Sequence, residues 1–212
     1  VRNSDTLLGM NLLFASQNRH KKEELSALLS PHVLTLPDDI GIDYEFDETG
    51  DTLIANALGK ALHLYSLTGK PSVADDTGLF VDALSGEPGV KTARYGEAAA
   101  GRLLTSEERN ELLLNAMKHV EGAARRASFV CAIALVLSPE RVFVFQESLV
   151  GEIASRIDGI GGFGYDPVFY LPEERRNLAH LTADEKNSIS HRGKAAAALK
   201  EMLMYLERGE DS

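Results

Sequence analysis

Asn11 to Ala15 is a short apolar run, and the period then changes: Leu25, Leu28 and Leu29 recur at helical spacing among Lys21, Lys22, Glu23 and Glu24. Such a change predicts a buried strand, a turn and an amphipathic helix. His32 to Leu36 predicts a second strand. Leu53, Ala57, Ala61 and Tyr65, interleaved with Ile54, Leu58 and Leu62, predict a helix that starts at Thr49 to Asp51 and stops near Gly69-Lys70-Pro71. Pro71 to Ala74 reads as a short strand running into Asp75-Asp76-Thr77-Gly78 as a turn, followed by a loop rich in Gly86, Pro88, Gly89 and Gly96. Thr105 and Glu108 have capping-box spacing ahead of a helix through Leu112, Leu113, Ala116 and Met117. Ser128 to Leu137 and Val142 to Phe145 flank a turn as a hairpin, and Leu149 to Ile157 predicts a third strand beside them. Thr182 opens a second capping-box start, and a closing helix carries Leu199, Met202, Leu203 and Leu206. Helices mixed with strands of both connection types point to an α/β fold with a mixed sheet.

Length and composition narrow this picture. The 212 residues show no internal repeat or linker, so residues 11–208 read as one domain behind a loose tail at 1–10. A net charge of -10 keeps attraction to a nucleic-acid backbone from dominating, so no nucleic-acid partner is expected. The single Cys131 excludes an internal disulfide and a cysteine zinc cluster, which predicts a reduced, cytoplasmic setting. The most apolar run, Phe129 to Leu137, is far short of the roughly 20 residues that span a bilayer, so no membrane partner is expected. The first ten residues lack the basic start and apolar stretch of a signal peptide.

Several clusters carry possible chemistry. Ser16-Gln17-Asn18-Arg19-His20-Lys21 sits where a strand feeds a helix, a place whose free amides suit a phosphate; Ser16 or Asn18 acting as a plain helix cap explains it equally simply. Asp75-Asp76 closes an apolar strand. Two carboxylates about 4 Å apart repel by about 4 kcal/mol at an effective dielectric near 20, so the pair calls for a cation or a shared proton. Adjacent strand residues face opposite ways, and Asp76 is taken as the inner one. Asp47-Glu48-Thr49-Gly50-Asp51 precedes a helix, where acidic residues ordinarily complement the dipole. If Glu48 meets Asp76, the two make an oxygen-ligand set for Mg²⁺. Gly159 to Gly164 contains a formal G-x-G-x-x-G, but Tyr165-Asp166-Pro167 follows where a dinucleotide fold needs a helix. The loop instead presents Phe163 and Tyr165 either to a base or to the core. Lys186 with Ser190-His191-Arg192 places cations near a helix start, against the dipole, so something anionic is expected to compensate.

Taken in order, Ala15 to Lys21, Glu48-Thr49-Gly50, Ala74 to Leu79, Gly86 to Val90 with Ala93-Arg94-Tyr95, Gly162 to Pro167, and Lys186 with Ser190-His191-Arg192 resemble the inosine/xanthosine triphosphate pyrophosphatases across residues 11–206. The resemblance implies an elongated mixed β-sheet flanked by helices, in two lobes with the active site in the cleft between them, and usually a homodimer. It implies Mg²⁺-dependent hydrolysis of deaminated purine nucleoside triphosphates (ITP, dITP, XTP) to the monophosphate and pyrophosphate. Carried over by position, Ser16, Gln17, Asn18 and Lys21 hold the triphosphate, with Thr77 in the place of a common Ser. Glu48 and Asp76 hold the metal, and Asp76 is the general base. Phe163, Gly164, Tyr165 and Asp166 form the base-side wall, and Lys186, His191 and Arg192 close the pocket on the 6-oxo group. Two positions depart from the pattern: Gln17 stands where Gly is usual, and Ala55 where Glu is frequent. The alternatives are a pyrophosphatase for modified pyrimidine or methylated nucleotides, and a nucleotide-binding regulator without turnover.

Overall fold

A computed structural model describes residues 9–209. In chain order the elements are β1 (Asn11–Phe14), α1 (Arg19–Leu29), β2 (Val33–Thr35), α2 (Leu53–Thr68), β3 (Ser72–Val81), β4 (Pro88–Gly89), α3 (Glu97–Ala100), α4 (Ser106–Ala116), β5 (Arg126–Ser138), β6 (Arg141–Ile153), β7 (Phe169–Leu171), β8 (Arg176–Asn177), α5 (Ala183–Ile189) and α6 (His191–Glu207). The strands pair in the order β2-β1-β3-β5-β6-β7-β8, with β4 added to β3. β1 runs parallel to β2 and β3, whereas β3–β4, β6–β7 and β7–β8 are antiparallel, so the sheet is mixed, as the element pattern predicts.

The chain divides into two compact units. The first holds the described residues up to Asp76, Cys131–Glu147 and those from Arg192 onward; the second holds Thr77–Val130 and Ser148–His191. In the first, Leu12 and Phe14 of β1, Leu25 and Leu29 of α1, Val73, Ile133, Leu135, Leu199 and Leu203 make one fully buried cluster. These are the positions where strand and helix periods coincide on one face. The second unit has its own cluster, in which Leu79 and Val81 meet Leu113, Met117, Phe129, Tyr165 and Phe169. The expected tail at 1–10 falls, for residues 1–8, outside the described residues, and no described helix is long and apolar enough to cross a membrane.

Local chemistry sets the element ends, and it corrects three expectations. α2 starts at Leu53, later than Thr49 to Asp51, because the extended Thr52 caps it by accepting from the Ala55 N–H. The acidic stretch ahead of α2 therefore stays irregular and is pinned to the helix. The Tyr44 hydroxyl donates to the Lys60 carbonyl at 3.0 Å, and the Phe46 ring lies so close to Gly59 that a Cβ there would meet it at 2.7 Å. β3 does not turn at Asp75-Asp76-Thr77-Gly78 but runs straight through it. β6 is one strand from Arg141 to Ile153; the exposed Gln146, Glu147 and Ser148 interrupt the apolar pattern without breaking the ladder. Both predicted capping boxes form, Thr105 with Glu108 and Thr182 with Glu185. Extended backbone at Ser190 separates α5 from α6.

Candidate active site

In the first unit, Asp75 and Asp76 occupy consecutive positions of β3 and so address opposite faces of the sheet. Asp75 is 1% exposed and receives Lys21 of α1 at 3.1 Å and the Nε and Nη2 of Arg192, each at 3.2 Å. Arg192 also donates to Glu24 of α1. The anion expected to compensate the cations at the start of α6 is thus supplied, for Arg192, by two carboxylates of the same unit. Across the strand, Asp76 accepts from Lys60 Nζ at 3.0 Å on Oδ1 and from Asn56 Nδ2 at 3.1 Å on Oδ2. The same Lys60 ammonium donates to Glu48 Oε1 at 2.7 Å. Glu48 and Asp76, far apart in sequence, therefore converge on one cation. Neither Lys60, Asn56 nor Glu24 stands out in the linear sequence. The available signal is that Asn56 and Lys60 fall at i, i+4 within the buried stripe of Leu53, Ala57, Ala61 and Leu64.

The two aspartates differ electrostatically. Burial alone would raise Asp75, but the charges of Lys21, Arg192 and Lys60 outweigh it and hold this carboxyl well below the usual range. For Asp76, burial and the Glu48 charge outweigh Lys60 and Lys21, so its pKa is raised. Burial would lower Lys60, but Asp76, Asp75 and Glu48 keep it charged. Among the described residues no group of three or more His, Cys, Asp or Glu could hold a metal. Two converging carboxylates nevertheless fit Mg²⁺, which binds through one or two protein carboxylates and takes its other ligands from water and phosphate.

At the entrance to α1, the Ser16 hydroxyl accepts the Asn18 N–H at 3.1 Å, and the Asn18 side chain caps the helix by accepting the Lys21 N–H at 3.2 Å. Gln17, one of the departures, donates from Nε2 to the Tyr44 carbonyl at 3.1 Å and so ties this entrance to the segment that carries Glu48.

The remaining predicted residues lie in the second unit. Asp166 is 4% exposed; its Oδ2 accepts the Phe163 N–H at 2.8 Å and Lys186 Nζ at 2.7 Å. That ammonium also sits 4.4 Å from the Phe163 ring centre, a cation–π contact. The Gly164 carbonyl accepts from Asn110 of α4 at 3.1 Å. Tyr165 is packed in the core, its hydroxyl donating to the Thr92 carbonyl at 3.0 Å, and burial raises its phenol. His191 stacks on Phe129 with ring centres 4.8 Å apart, and Thr77 is half-buried in β3. Gly162 has φ +70°, and a Cβ there would meet Asp166 Oδ2 at 2.1 Å. Gly162→Ala is therefore expected to cost about 1–3 kcal/mol through left-handed backbone strain alone, read as a lower midpoint in thermal unfolding.

These features define a mixed-sheet α/β protein whose strand β3 carries two oppositely facing carboxylates, each paired with lysine or arginine. A family model described as the Ham1 family matches residues 12–202. The chain belongs to the Ham1 family. It is 40% identical over 194 residues to a dITP/XTP pyrophosphatase of Treponema denticola, covering 92% of this chain and 98% of that protein. A dITP/XTP pyrophosphatase of Thermus thermophilus is 42% identical over 198 residues, covering 92% of each. Among solved structures, a HAM1 protein from Coxiella burnetii superposes with a TM-score of 0.82 at 38% identity, over 92% of this chain and 98% of that one.

Proposed function

We propose that this chain is a nucleoside triphosphate pyrophosphohydrolase that cleaves deaminated purine nucleotides, dITP, ITP and XTP, to the monophosphate and pyrophosphate, clearing them from the nucleotide pool. The observation that carries this reading is the meeting of Asp76 and Glu48 on Lys60, in a chain whose relatives are named for that activity over nearly their whole length.

The chemistry follows from the residues. Water attacks the α-phosphorus and the bond from that phosphorus to the α–β bridging oxygen breaks, so the nucleotide leaves as monophosphate and the other two phosphates as pyrophosphate. Asp76, raised by burial, accepts the proton of the attacking water. The Lys21 and Lys60 ammonium groups and the first amides of α1 bind phosphate oxygens, supplying the positioning and charge neutralisation that phosphoryl transfer requires. Ser16, Gln17 and Asn18 shape that helix entrance. Glu48 and Asp76 would hold Mg²⁺, which when bound would add neutralisation of phosphate charge. No protein nucleophile is involved.

In the second unit, Lys186, with Phe163, Gly164 and Asp166, recognises the base, Tyr165 anchors that loop from the core, and His191 supports it. Thr77 contributes a hydroxyl beside the acidic pair, and Arg192 acts through Asp75. Donors that fit a 6-oxo group are left unpaired by the 6-amino group of adenine, a mismatch that discriminates by several powers of ten. We place the enzyme in the cytoplasm as a homodimer, in keeping with the buried lone cysteine and the family resemblance.

The test is incubation of purified protein with ITP and Mg²⁺. Inosine monophosphate and pyrophosphate are the expected products, ATP is turned over far more slowly, and excess chelator stops the reaction. Release of orthophosphate with the diphosphate would overturn the reading.

A further inference from the structure

We infer that Asn56 is a positioning residue for Asp76 and for the segment carrying Glu48, with one buried side-chain amide holding the Asp76 carboxylate directly and the Glu48 segment through its backbone; this rests on the pyrophosphohydrolase reading above. Asn56 is 2% exposed on the first turns of α2, and both ends of its amide are engaged. Nδ2 donates to Asp76 Oδ2 at 3.1 Å, and Oδ1 accepts the Gly50 N–H at 2.8 Å. These partners also fix which way the amide points, since a carboxylate only accepts and a backbone N–H only donates.

One turn further along the same helix face, Lys60 repeats the arrangement with a charge: it donates to Asp76 Oδ1 at 3.0 Å and to Glu48 Oε1 at 2.7 Å. The i, i+4 pair of Asn56 and Lys60 therefore holds both oxygens of Asp76 and grips the 48–50 segment twice, once through a side chain and once through the backbone. The segment has no helix or strand of its own to hold it, so its register against Asp76 depends on such contacts. Position 50 accommodates the amide because it is glycine: a Cβ there would lie 2.6 Å from Asn56 Oδ1. Buried polar groups with every partner engaged restrict a site to one geometry, and groups that orient functional carboxylates are worth about 10–100-fold in activity.

The experiment compares wild type with Asn56→Ala and with Asn56→Leu, which keeps roughly the volume while removing donor and acceptor. Each is assayed for kcat and KM on ITP, for affinity to a non-hydrolysable inosine triphosphate analogue, and for thermal midpoint. Both variants are expected to fold, to lose about 10–100-fold in kcat, and to change KM and analogue affinity by less than about threefold. Gly50→Ala is expected to reproduce part of that kcat loss, and combining it with Asn56→Ala to lower kcat by less than the product of the separate losses. A kcat within threefold of wild type in either Asn56 variant overturns the inference. So does a loss confined to KM and analogue affinity, or failure of both variants to fold. A wild-type protein that releases no pyrophosphate from ITP refutes the underlying reading instead, and the wild-type assay separates the two failures.

Discussion

Asp76→Asn is expected to lower kcat for ITP by about a thousandfold, within the 10²–10⁴ that a positioned general base contributes, while the protein stays folded. The substitution keeps the shape of the side chain and removes its ability to take a proton. It also places an amide between two donors, Lys60 Nζ and Asn56 Nδ2, so one contact of the acidic site becomes donor against donor. Pyrophosphate release measures the rate, and the thermal midpoint confirms that the loss is chemical. A variant with wild-type turnover would remove Asp76 from its assigned role.

The second large effect is on stability. Arg192→Met removes a guanidinium only 2% exposed that holds the fully buried Asp75 and the partly buried Glu24. Breaking one side of a buried ion pair costs about 3–5 kcal/mol, because the remaining charge keeps its desolvation penalty. For a chain of this size that corresponds to a fall of about 6–20 °C in the thermal midpoint. The double change Arg192→Met with Asp75→Leu is expected to recover part of the loss, since apolar replacement of a whole buried pair is often neutral or better. Calorimetry on the three proteins decides it; an unchanged midpoint in Arg192→Met would show that Lys21 alone suffices for Asp75.

Much of this architecture was legible in the residues, and the failures share a cause. The β1–α1 unit and both capping boxes depend on neighbours a few positions away, and local pattern captures them. Asp75-Asp76-Thr77-Gly78 is turn chemistry in isolation, yet β3 runs through it. What keeps β3 extended is its ladder with β1, β4 and β5, and its two aspartates take their partners from elsewhere in the chain: Lys21, Asn56, Lys60 and Arg192. The same long-range pairing hid Lys60, whose place in the buried stripe of α2 gains its meaning only once Asp76 and Glu48 are seen to share it. Arg192 met an anion as expected, and the first anions it meets belong to the protein.

One residue step along β3 separates two kinds of acid. Asp75 is clamped by Lys21 and Arg192, whose charges hold its carboxyl well below the usual range. Asp76, a peptide bond away, retains a proton affinity that solvent, substrate or cation can still alter. The strand thus separates a rigid electrostatic strut from a more responsive carboxylate, so the base role proposed for Asp76 would leave the charge balance that secures the fold undisturbed on the other face.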